Sequence, residues 1–292
     1  MSRCVLSKRL PDNDMPPSLW DAPESSRTDQ VTMPDSSGPE IPEAWRPLEA
    51  ALIAFHDHGE PAEVLVSSDL GDPHAVPASV FFRLEDEIED WESAALDRCG
   101  ETVLDVGAGV GAHALILQSR GRSVTALEAL PGAVRIMNQR GVADARLGTL
   151  ADITDEAGYD TVLMLMNGSM LAETLVGLDV LLDHIGQILN PGGRFLMDST
   201  DLRVSEGSSS EDDISEGDPL EEGSSDSGRP LDGRYHGELH FQMSYQGVRG
   251  AVFPQLFVDP QTLTVRALAR GWETAVVWRG ESGRFLAELT LI

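Results

Sequence analysis

The sequence predicts an α/β fold whose main sheet is mostly parallel. From residue 101 onward, segments typical of strands and helices alternate, as in proteins built from successive β-α-β units. The strand segments are apolar along their length, as in "TVLMLM" at 161–166, which is typical of a parallel sheet covered by helices on both faces. Near the end of the chain, two strand segments are joined by "GESG", which predicts an antiparallel pair.

Each element follows from its local pattern. Before residue 101, "AWRPLEAALIAFHDHG" (44–59) places apolar side chains on one helical face, and "LEDEIEDWESAALDRCG" (84–100) predicts a helix that ends at Gly100. Alternation in "LHFQMSY" (239–245) predicts a half-buried strand. The strands of the main sheet are predicted at 102–106, 123–128, 144–147, 160–166, 194–198, 272–279 and 284–291. Its helices are predicted at 111–120, 131–140, 173–189 and 260–270.

The predicted domain organisation has three parts. Residues 1–43, rich in Pro, Ser and Asp, are expected to be a disordered leader, and residues 44–100 an N-terminal helical cap. Residues 101–292 form the predicted ligand-binding domain. Within it, the run at 204–228 has no cation and few large apolar side chains, so we expect a disordered acidic insertion. Segments 44–100 and 229–258 are the expected sources of a lid.

Composition excludes several partners. The chain has 49 acidic and 21 basic residues, a net charge of −28, which opposes binding to nucleic acids and to anionic membranes. Lys8 is its single lysine, a composition that fits either a protein adapted to high salt (halophilic) or a GC-rich genome. The N-terminus lacks the apolar core of a signal peptide, and no segment approaches the roughly 18 apolar residues of a membrane span, so a cytoplasmic location is expected. The two cysteines predict neither a disulfide framework nor a metal site.

A glycine-rich loop follows the first strand of the main sheet. It reads Asp105-Val-Gly107-Ala-Gly109-Val-Gly111, and glycines there allow a sharp turn and a close approach of a ligand to the backbone. The acid Glu128 ends the next strand, where it can accept both hydroxyls of a ribose. These features serve any adenosine cofactor, and the same loop also satisfies the dinucleotide pattern.

Three further features separate the possible cofactors. The anion of Asp105 suits an amine-bearing ligand and is unfavourable beside a pyrophosphate. The segment "YDTVLMLMNGSM" (159–170) places Asn167 just past the end of a strand, where parallel sheets bind ligands. "ILNPGGRFLMDST" (188–200) places a Pro-Gly-Gly turn between a helix and the next strand.

Together, the glycine loop, Glu128, "YDTVLMLMN" and "LNPGGRFLMD" resemble the successive motifs of the class I S-adenosylmethionine-dependent methyltransferases over about residues 80–200. The similarity is greatest to small uncharacterised bacterial members with "FFR" before the domain and "MNG" after the fourth strand. The resemblance implies a three-layer sandwich around a seven-stranded, mostly parallel, Rossmann-like sheet with an antiparallel last strand. It also implies S-adenosylmethionine as the cofactor.

The resemblance implies a role for individual residues. Asp105 would lie near the methionine ammonium of the cofactor, Glu128 would hold the ribose hydroxyls, and Asn167 would act beside the transferred methyl group. Where the family often has an acid facing the adenine amine, this chain has Thr149, for which Asp152 is an alternative. The remaining predicted cofactor-binding residues are Gly107, Gly109 and Gly111 in the loop, Ala129, Leu130 and Leu150 near the adenine, and Arg83 at the cofactor carboxylate.

Several assignments stay open in the sequence. Arg83 is also compatible with a surface cation, and the neighbouring phenylalanines are compatible with core packing. His113, His236 and His240 are compatible with structural or solvent-facing roles. Asp198 and Asp201 are compatible with either an acceptor site or loop capping. We expect methyl transfer to a small-molecule acceptor, because the acidity disfavours RNA and DNA. The alternatives are an NAD-dependent oxidoreductase and a non-catalytic cofactor-binding or interaction protein.

Overall fold

The computed structural model describes residues 42–154, 158–204 and 234–292. The predicted disordered leader, apart from its last two residues, and the predicted acidic insertion after Val204 lie outside the described residues.

A seven-stranded central sheet confirms the predicted fold. Its strand order is β11-β12-β7-β6-β3-β4-β5, and β12 runs antiparallel to both of its neighbours while β7, β6, β3, β4 and β5 are parallel. These strands are β3 (Thr102–Val106), β4 (Ser123–Glu128), β5 (Ala145–Leu147), β6 (Tyr159–Met164), β7 (Leu189–Thr200), β11 (Trp272–Arg279) and β12 (Arg284–Leu291). The predicted antiparallel ending is therefore present, and it closes one edge of the sheet.

Helices cover both faces of the central sheet and complete the three layers. They are α2 (Asp90–Leu96), α3 (Ala112–Ser119), α4 (Pro131–Arg140), α5 (Leu175–Ile188) and α6 (Pro260–Leu268), and α1 (Arg46–His58) packs against α4. Leu104 of β3 belongs to the same hydrophobic cluster as α5 and α6, whereas Val103 belongs to a second cluster that includes α2 and α3. Because neighbouring residues of β3 enter different cores, both faces of the strand are buried, which explains its continuously apolar sequence.

A second sheet requires a correction to the predicted helical cap over 44–100. Residues 63–77, between α1 and α2, form an antiparallel pair of strands, β1 (Glu63–Ser68) and β2 (Gly71–Pro77), and β1 also pairs with β8 (Glu238–Tyr245). The second sheet, named the roof sheet here, has the order β10-β8-β1-β2, with β9 on β8. Its strands are β1 (Glu63–Ser68), β2 (Gly71–Pro77), β8 (Glu238–Tyr245), β9 (Val248–Arg249) and β10 (Phe253–Leu256). Pairing between β1 and β8 joins a segment that precedes residue 100 to one that follows it. The predicted domain boundary at residue 100 therefore does not separate the strands of this sheet.

Local backbone chemistry explains where two elements differ from prediction. Strand β6 ends at Met164 instead of residue 166, because Met166 and Asn167 adopt left-handed φ angles of 66° and 60° that a strand cannot accommodate. Helix α5 begins at Leu175, where the Thr174 side chain accepts a hydrogen bond from the amide of Gly177. The left-handed turn that follows β6 therefore lies at the carboxyl edge of the central sheet.

Candidate active site

A large cavity lies between the carboxyl edge of the central sheet and the roof sheet. Its volume is about 1060 Å³, at or above the upper end of ordinary small-ligand sites. The ends of β3, β4 and β6 and the loops that follow them form one wall, named the floor here. The roof sheet and the first part of α1 form the opposite wall. Both segments expected to supply a lid, 44–100 and 229–258, contribute residues to it.

The glycine loop bends sharply along the floor. Gly107, Gly109 and Gly111 have φ angles of 72°, 57° and 81°, a region that residues with a Cβ rarely adopt. A Cβ added at Gly107 would approach the Leu171 side chain to 3.0 Å, and both residues line the cavity. Gly107 and Gly109 therefore present bare backbone to the cavity, whereas Gly111, at the start of α3, is not part of the cavity lining.

The buried carboxyl of Asp105 lacks a partner. The residue is 2% exposed and lines the cavity, and its Oδ2 has no hydrogen-bond partner among the described residues. Burial raises the pKa of this carboxyl to about 6, and the nearby His113 opposes the shift. An ionised group in this position is unfavourable without a cation, so the site has an intrinsic demand for a positively charged ligand.

The carboxylate of Glu128 shapes the floor through backbone amides. Its Oε2 accepts a hydrogen bond from Gly109 N at 2.8 Å, and its Oε1 accepts from Ala129 N at 2.8 Å and Leu130 N at 3.0 Å. Burial raises the pKa of Glu128, and the three backbone donors counteract that effect. One side chain thus fixes both the glycine loop and the turn after β4, and one lone pair of Oε2 remains for a ligand.

The predicted adenine-side residues meet at the same part of the floor. Ala129, Leu130, Thr149 and Leu150 all line the cavity. Asp152 does not belong to that lining; its Oδ2 accepts hydrogen bonds from the amide of Thr149 at 2.8 Å and from the Thr149 hydroxyl at 3.0 Å. Of the two candidates for the missing acid, the structure therefore gives Asp152 a capping role and leaves Thr149 at the cavity.

Asn167 lines the cavity, and a buried carboxylate accepts a hydrogen bond from its backbone amide. Asp198, fully buried, accepts hydrogen bonds from Asn167 N at 2.9 Å and Gly168 N at 3.0 Å. The Arg284 guanidinium donates to the same carboxylate at 2.7 Å. The hydroxyl of Thr200 donates to Asn167 Oδ1 at 2.8 Å. Asp198 thus has the loop-capping role that the sequence left open, and it holds Asn167 in its left-handed turn.

Arg83, predicted to contact a cofactor carboxylate, is paired with an acid, and it lines a small separate pocket with Asn167 instead of the large cavity. Its guanidinium donates to both oxygens of Glu92, at 2.8 and 2.6 Å, and to the Val80 carbonyl oxygen at 2.8 Å. Glu92 is fully buried, and its Oε1 also lies 2.8 Å from His113 Nε2. Burial alone would raise the pKa of Glu92. Hydrogen bonds from His113 and the Glu89 amide, together with the charge of Arg83, outweigh burial, so the pKa of Glu92 is lowered. Arg83 and His113 therefore compensate a buried acid beside the cavity.

Other sequence candidates lie away from the cavity. His240 is bonded to Arg234 and Asp69, His236 contacts Tyr235, and Asp201 pairs with Arg203; these three candidates are not part of the cavity lining. Conversely, sequence reasoning missed Gln255 of β10, which lines the cavity and is 4% exposed. The alternation in β8 indicated a buried face, but no local pattern indicated what that face would cover.

The described segments hold no group of three or more His, Cys, Asp or Glu residues arranged for a metal ion. Within the same segments, none of the helices has both the length and the apolar composition needed to cross a bilayer.

Comparisons with known proteins agree with this geometry. The family model described as "Methyltransferase domain" matches residues 104–197. Among curated proteins, the cypemycin N-terminal methyltransferase of a Streptomyces species is 31% identical over 114 residues, 38% of this chain and 46% of that protein. The malonyl-[acyl-carrier protein] O-methyltransferase of Serratia marcescens is 31% identical over 97 residues, 33% of this chain and 37% of that protein. The match thus spans less than half of either curated relative.

A solved structure extends the similarity across nearly the whole of the fold. The S-adenosylmethionine-dependent methyltransferase from Bacteroides fragilis, solved with S-adenosylhomocysteine, is 33% identical, with a TM-score of 0.71. The match covers 86% of this chain and 97% of the Bacteroides chain. A relationship of this extent favours a methyltransferase over an oxidoreductase that shares the glycine loop. The chain therefore belongs to the family of class I S-adenosylmethionine-dependent methyltransferases.

Proposed function

We propose that the protein transfers a methyl group from S-adenosylmethionine to a small-molecule acceptor bound in the roofed cavity. The observation that carries the proposal is the buried carboxyl of Asp105, whose Oδ2 lacks a partner while the residue lines the cavity. An ammonium group satisfies this demand, whereas the diphosphate of a nicotinamide cofactor would increase the local negative charge.

The chain's residues fit the cofactor part by part. Asp105 would pair with the ammonium of the methionine portion, and the bare backbone of the glycine loop would lie against its neighbouring atoms. Glu128, held by three backbone amides, would accept the ribose hydroxyls. Ala129, Leu130, Thr149 and Leu150 would surround the adenine. Arg83 is omitted from this set, because Glu92 already occupies its guanidinium.

Positioning and exclusion of water are the chain's main contributions to the reaction. The cofactor supplies an electrophilic methyl group on a cationic sulfur. Asn167 is the residue we assign to the methyl-transfer region, since it lines the cavity at the end of β6 and its backbone amide is fixed by Asp198. The roof sheet covers the floor and limits the access of water to the reacting atoms.

The shape and charge of the molecule support a small-molecule acceptor. The cavity is roofed by four strands and α1, so an acceptor must fit within it or reach it through an opening. The net charge of −28 opposes the approach of a nucleic-acid strand. The relatives named above are described as acting on an N-terminus and on a malonyl-[acyl-carrier protein], which leaves the methylated atom of this chain's acceptor open.

Thermal unfolding with three ligands tests the cofactor assignment. S-adenosylmethionine and S-adenosylhomocysteine should raise the unfolding temperature, with a stabilisation of about 2.7 kcal/mol at 100 times Kd. NADH should give no shift, and Asp105→Asn should reduce the shift with both methionine-derived ligands. A shift with NADH alone would contradict the proposal. Release of S-adenosylhomocysteine during incubation with small-molecule mixtures then tests the acceptor class, with a strand of RNA and an unstructured peptide as comparisons.

A further inference from the structure

The roof half of the cavity is an apolar chamber built on aromatic rings. Trp45 contacts Phe253 with 5.0 Å between ring centroids, Phe253 contacts Phe241 at 6.4 Å, and Phe241 stacks on Phe257 at 5.8 Å. All four rings line the cavity. The adenosine-binding residues proposed above lie on the floor, so these rings are available to a second molecule.

The described part of the cavity lining carries acidic side chains without permanently charged basic ones. The described lining includes the acids Asp72, Asp105, Glu128 and Glu173, but it includes no lysine or arginine. A carboxylate or phosphate on the acceptor would therefore be desolvated with no lysine or arginine of the described lining to pair with it. This arrangement disfavours anionic acceptors.

One buried polar group in the chamber has no partner. Gln255 is 4% exposed, and its Oε1 is buried without a hydrogen bond among the described residues. In the described segments, five buried side-chain atoms have no hydrogen-bond partner. Two of the five residues that carry these atoms line the cavity, and they are Asp105 and Gln255. Buried polar groups without partners cost stability, so such a group in a ligand chamber points to a ligand that satisfies it. Asp105 fits the cofactor, which leaves Gln255 for the acceptor.

We propose that the roof chamber binds an acceptor whose buried part is uncharged and largely apolar, with a hydroxyl or N–H group that hydrogen-bonds the side-chain amide of Gln255. The rings supply apolar contact area and favour a planar ligand, while the Gln255 amide selects for the polar group. This inference rests on the proposed function, because it assumes that the cofactor occupies the floor. Gln255 is a specificity-determining residue in this account and takes no part in methyl transfer.

Three probes that differ in one substituent test the chamber. Equilibrium dialysis would measure the binding of naphthalene, 2-naphthol and 2-naphthoate to the full chain saturated with S-adenosylhomocysteine. We expect 2-naphthol to bind about tenfold more tightly than naphthalene, because naphthalene leaves the Gln255 amide unpaired, and we expect 2-naphthoate to bind most weakly. In Gln255→Leu, the preference for 2-naphthol over naphthalene should disappear.

The same sheet offers a matched control. Gln242 of β8 is half-buried, donates a hydrogen bond to the Gly250 carbonyl oxygen, and lies outside the cavity lining. Gln242→Leu should keep the wild-type preference for 2-naphthol. An unchanged preference in Gln255→Leu, tightest binding of 2-naphthoate, or absence of probe binding to the saturated protein would overturn the inference.

Calorimetry with S-adenosylhomocysteine distinguishes the two levels of the proposal. If the wild type and Gln255→Leu bind it equally and the probes fail to discriminate, the acceptor inference alone is wrong. If the wild type does not bind it, the proposed function fails, and the acceptor inference fails with it.

Discussion

The floor and the roof of the cavity differ in chemistry and in the way they are assembled. The floor presents glycines with left-handed φ angles and the buried acids Asp105 and Glu128. All of them lie within 24 consecutive residues of one β-α-β unit. The roof presents aromatic rings from strands and a helix that are far apart in sequence. This difference indicates that one ligand is selected by charge and backbone geometry, and the other by apolar shape with a single polar group.

Replacing Asp105 by Asn is the strongest way to break this division of roles. Affinity for S-adenosylhomocysteine should fall about 100- to 1,000-fold, because the ammonium loses a buried charged partner. Calorimetry at pH 8 measures the change. The roof variant Phe253→Leu is the control and should bind S-adenosylhomocysteine within about threefold of wild type.

The same substitution should have the opposite effect on the ligand-free protein. The pKa of Asp105 is raised from 3.8 to about 6, so the native state binds the proton more tightly than the unfolded state does. Stability from this group is therefore lost as pH rises from about 4 to about 6 and stays reduced above it, by an amount on the order of 3 kcal/mol. Urea unfolding at pH 8 should show Asp105→Asn to be more stable than wild type. Lower stability of the variant would contradict the unpaired state of this carboxyl.

Gly111→Ala tests the rigid geometry of the floor. A Cβ at Gly111 would lie 2.7 Å from Val142 Cγ2 and 3.1 Å from Met137 Cγ, in addition to the cost of its left-handed φ. We expect a loss of about 2–3 kcal/mol in the free energy of unfolding. Gly121→Ala is the matched control, because Gly121 has the same φ of 81° with no atom within 4 Å, so it should lose only about 1 kcal/mol. Equal losses would show that packing under the loop is unimportant.

Phe253→Ala should affect the roof alone. This ring contacts Trp45 and Phe241 in the chamber, so its removal should weaken 2-naphthol binding about tenfold and leave S-adenosylhomocysteine binding unchanged. Phe55→Ala is the control, since Phe55 is also half-buried but packs on Phe82 outside the cavity lining. A similar loss of 2-naphthol binding in both variants would indicate a global effect on the fold.

The smallest expected effect concerns the surface outside both walls. If the acidic, lysine-poor composition is an adaptation to salt, screening of the net charge of −28 should stabilise the protein by about 1 kcal/mol between 0.1 and 1 M KCl. Sorbitol at equal osmolality is the uncharged control for urea unfolding. Greater stability at low salt would rule out the adaptation and favour a codon-usage origin.

The floor could be predicted from sequence because its signals are local. The glycine loop, Asp105 and Glu128 belong to one strand-loop-helix-strand unit, and continuous apolar runs indicate central strands such as β6 and β7. The structure brings those side chains to one cavity wall, as expected. Their roles toward the cofactor remain predictions until ligand binding is measured.

The roof could not be predicted in the same way, because its pairing is between distant segments. Val66 lies opposite Met243 in the β1–β8 ladder, a pairing across more than half of the chain that neither strand's own pattern specifies. The ion pair of Arg83 could not be predicted for a related reason: its partner Glu92 is nine residues away across a loop, at no helical or strand spacing. Gln255 carried no sequence signal, since its importance arises from the absence of a partner in the folded protein.

The pH dependence of S-adenosylhomocysteine binding tests most directly whether the Asp105 carboxylate holds the ammonium. With a pKa of about 6 in the free protein, the carboxyl must lose a proton on binding below that pH. Calorimetry should therefore give an affinity about tenfold weaker at pH 5 than at pH 7.5, with proton release at pH 5, while Asp105→Asn should change by less than about twofold. Equal wild-type affinities at the two pH values, or the same pH dependence in Asp105→Asn, would contradict the account.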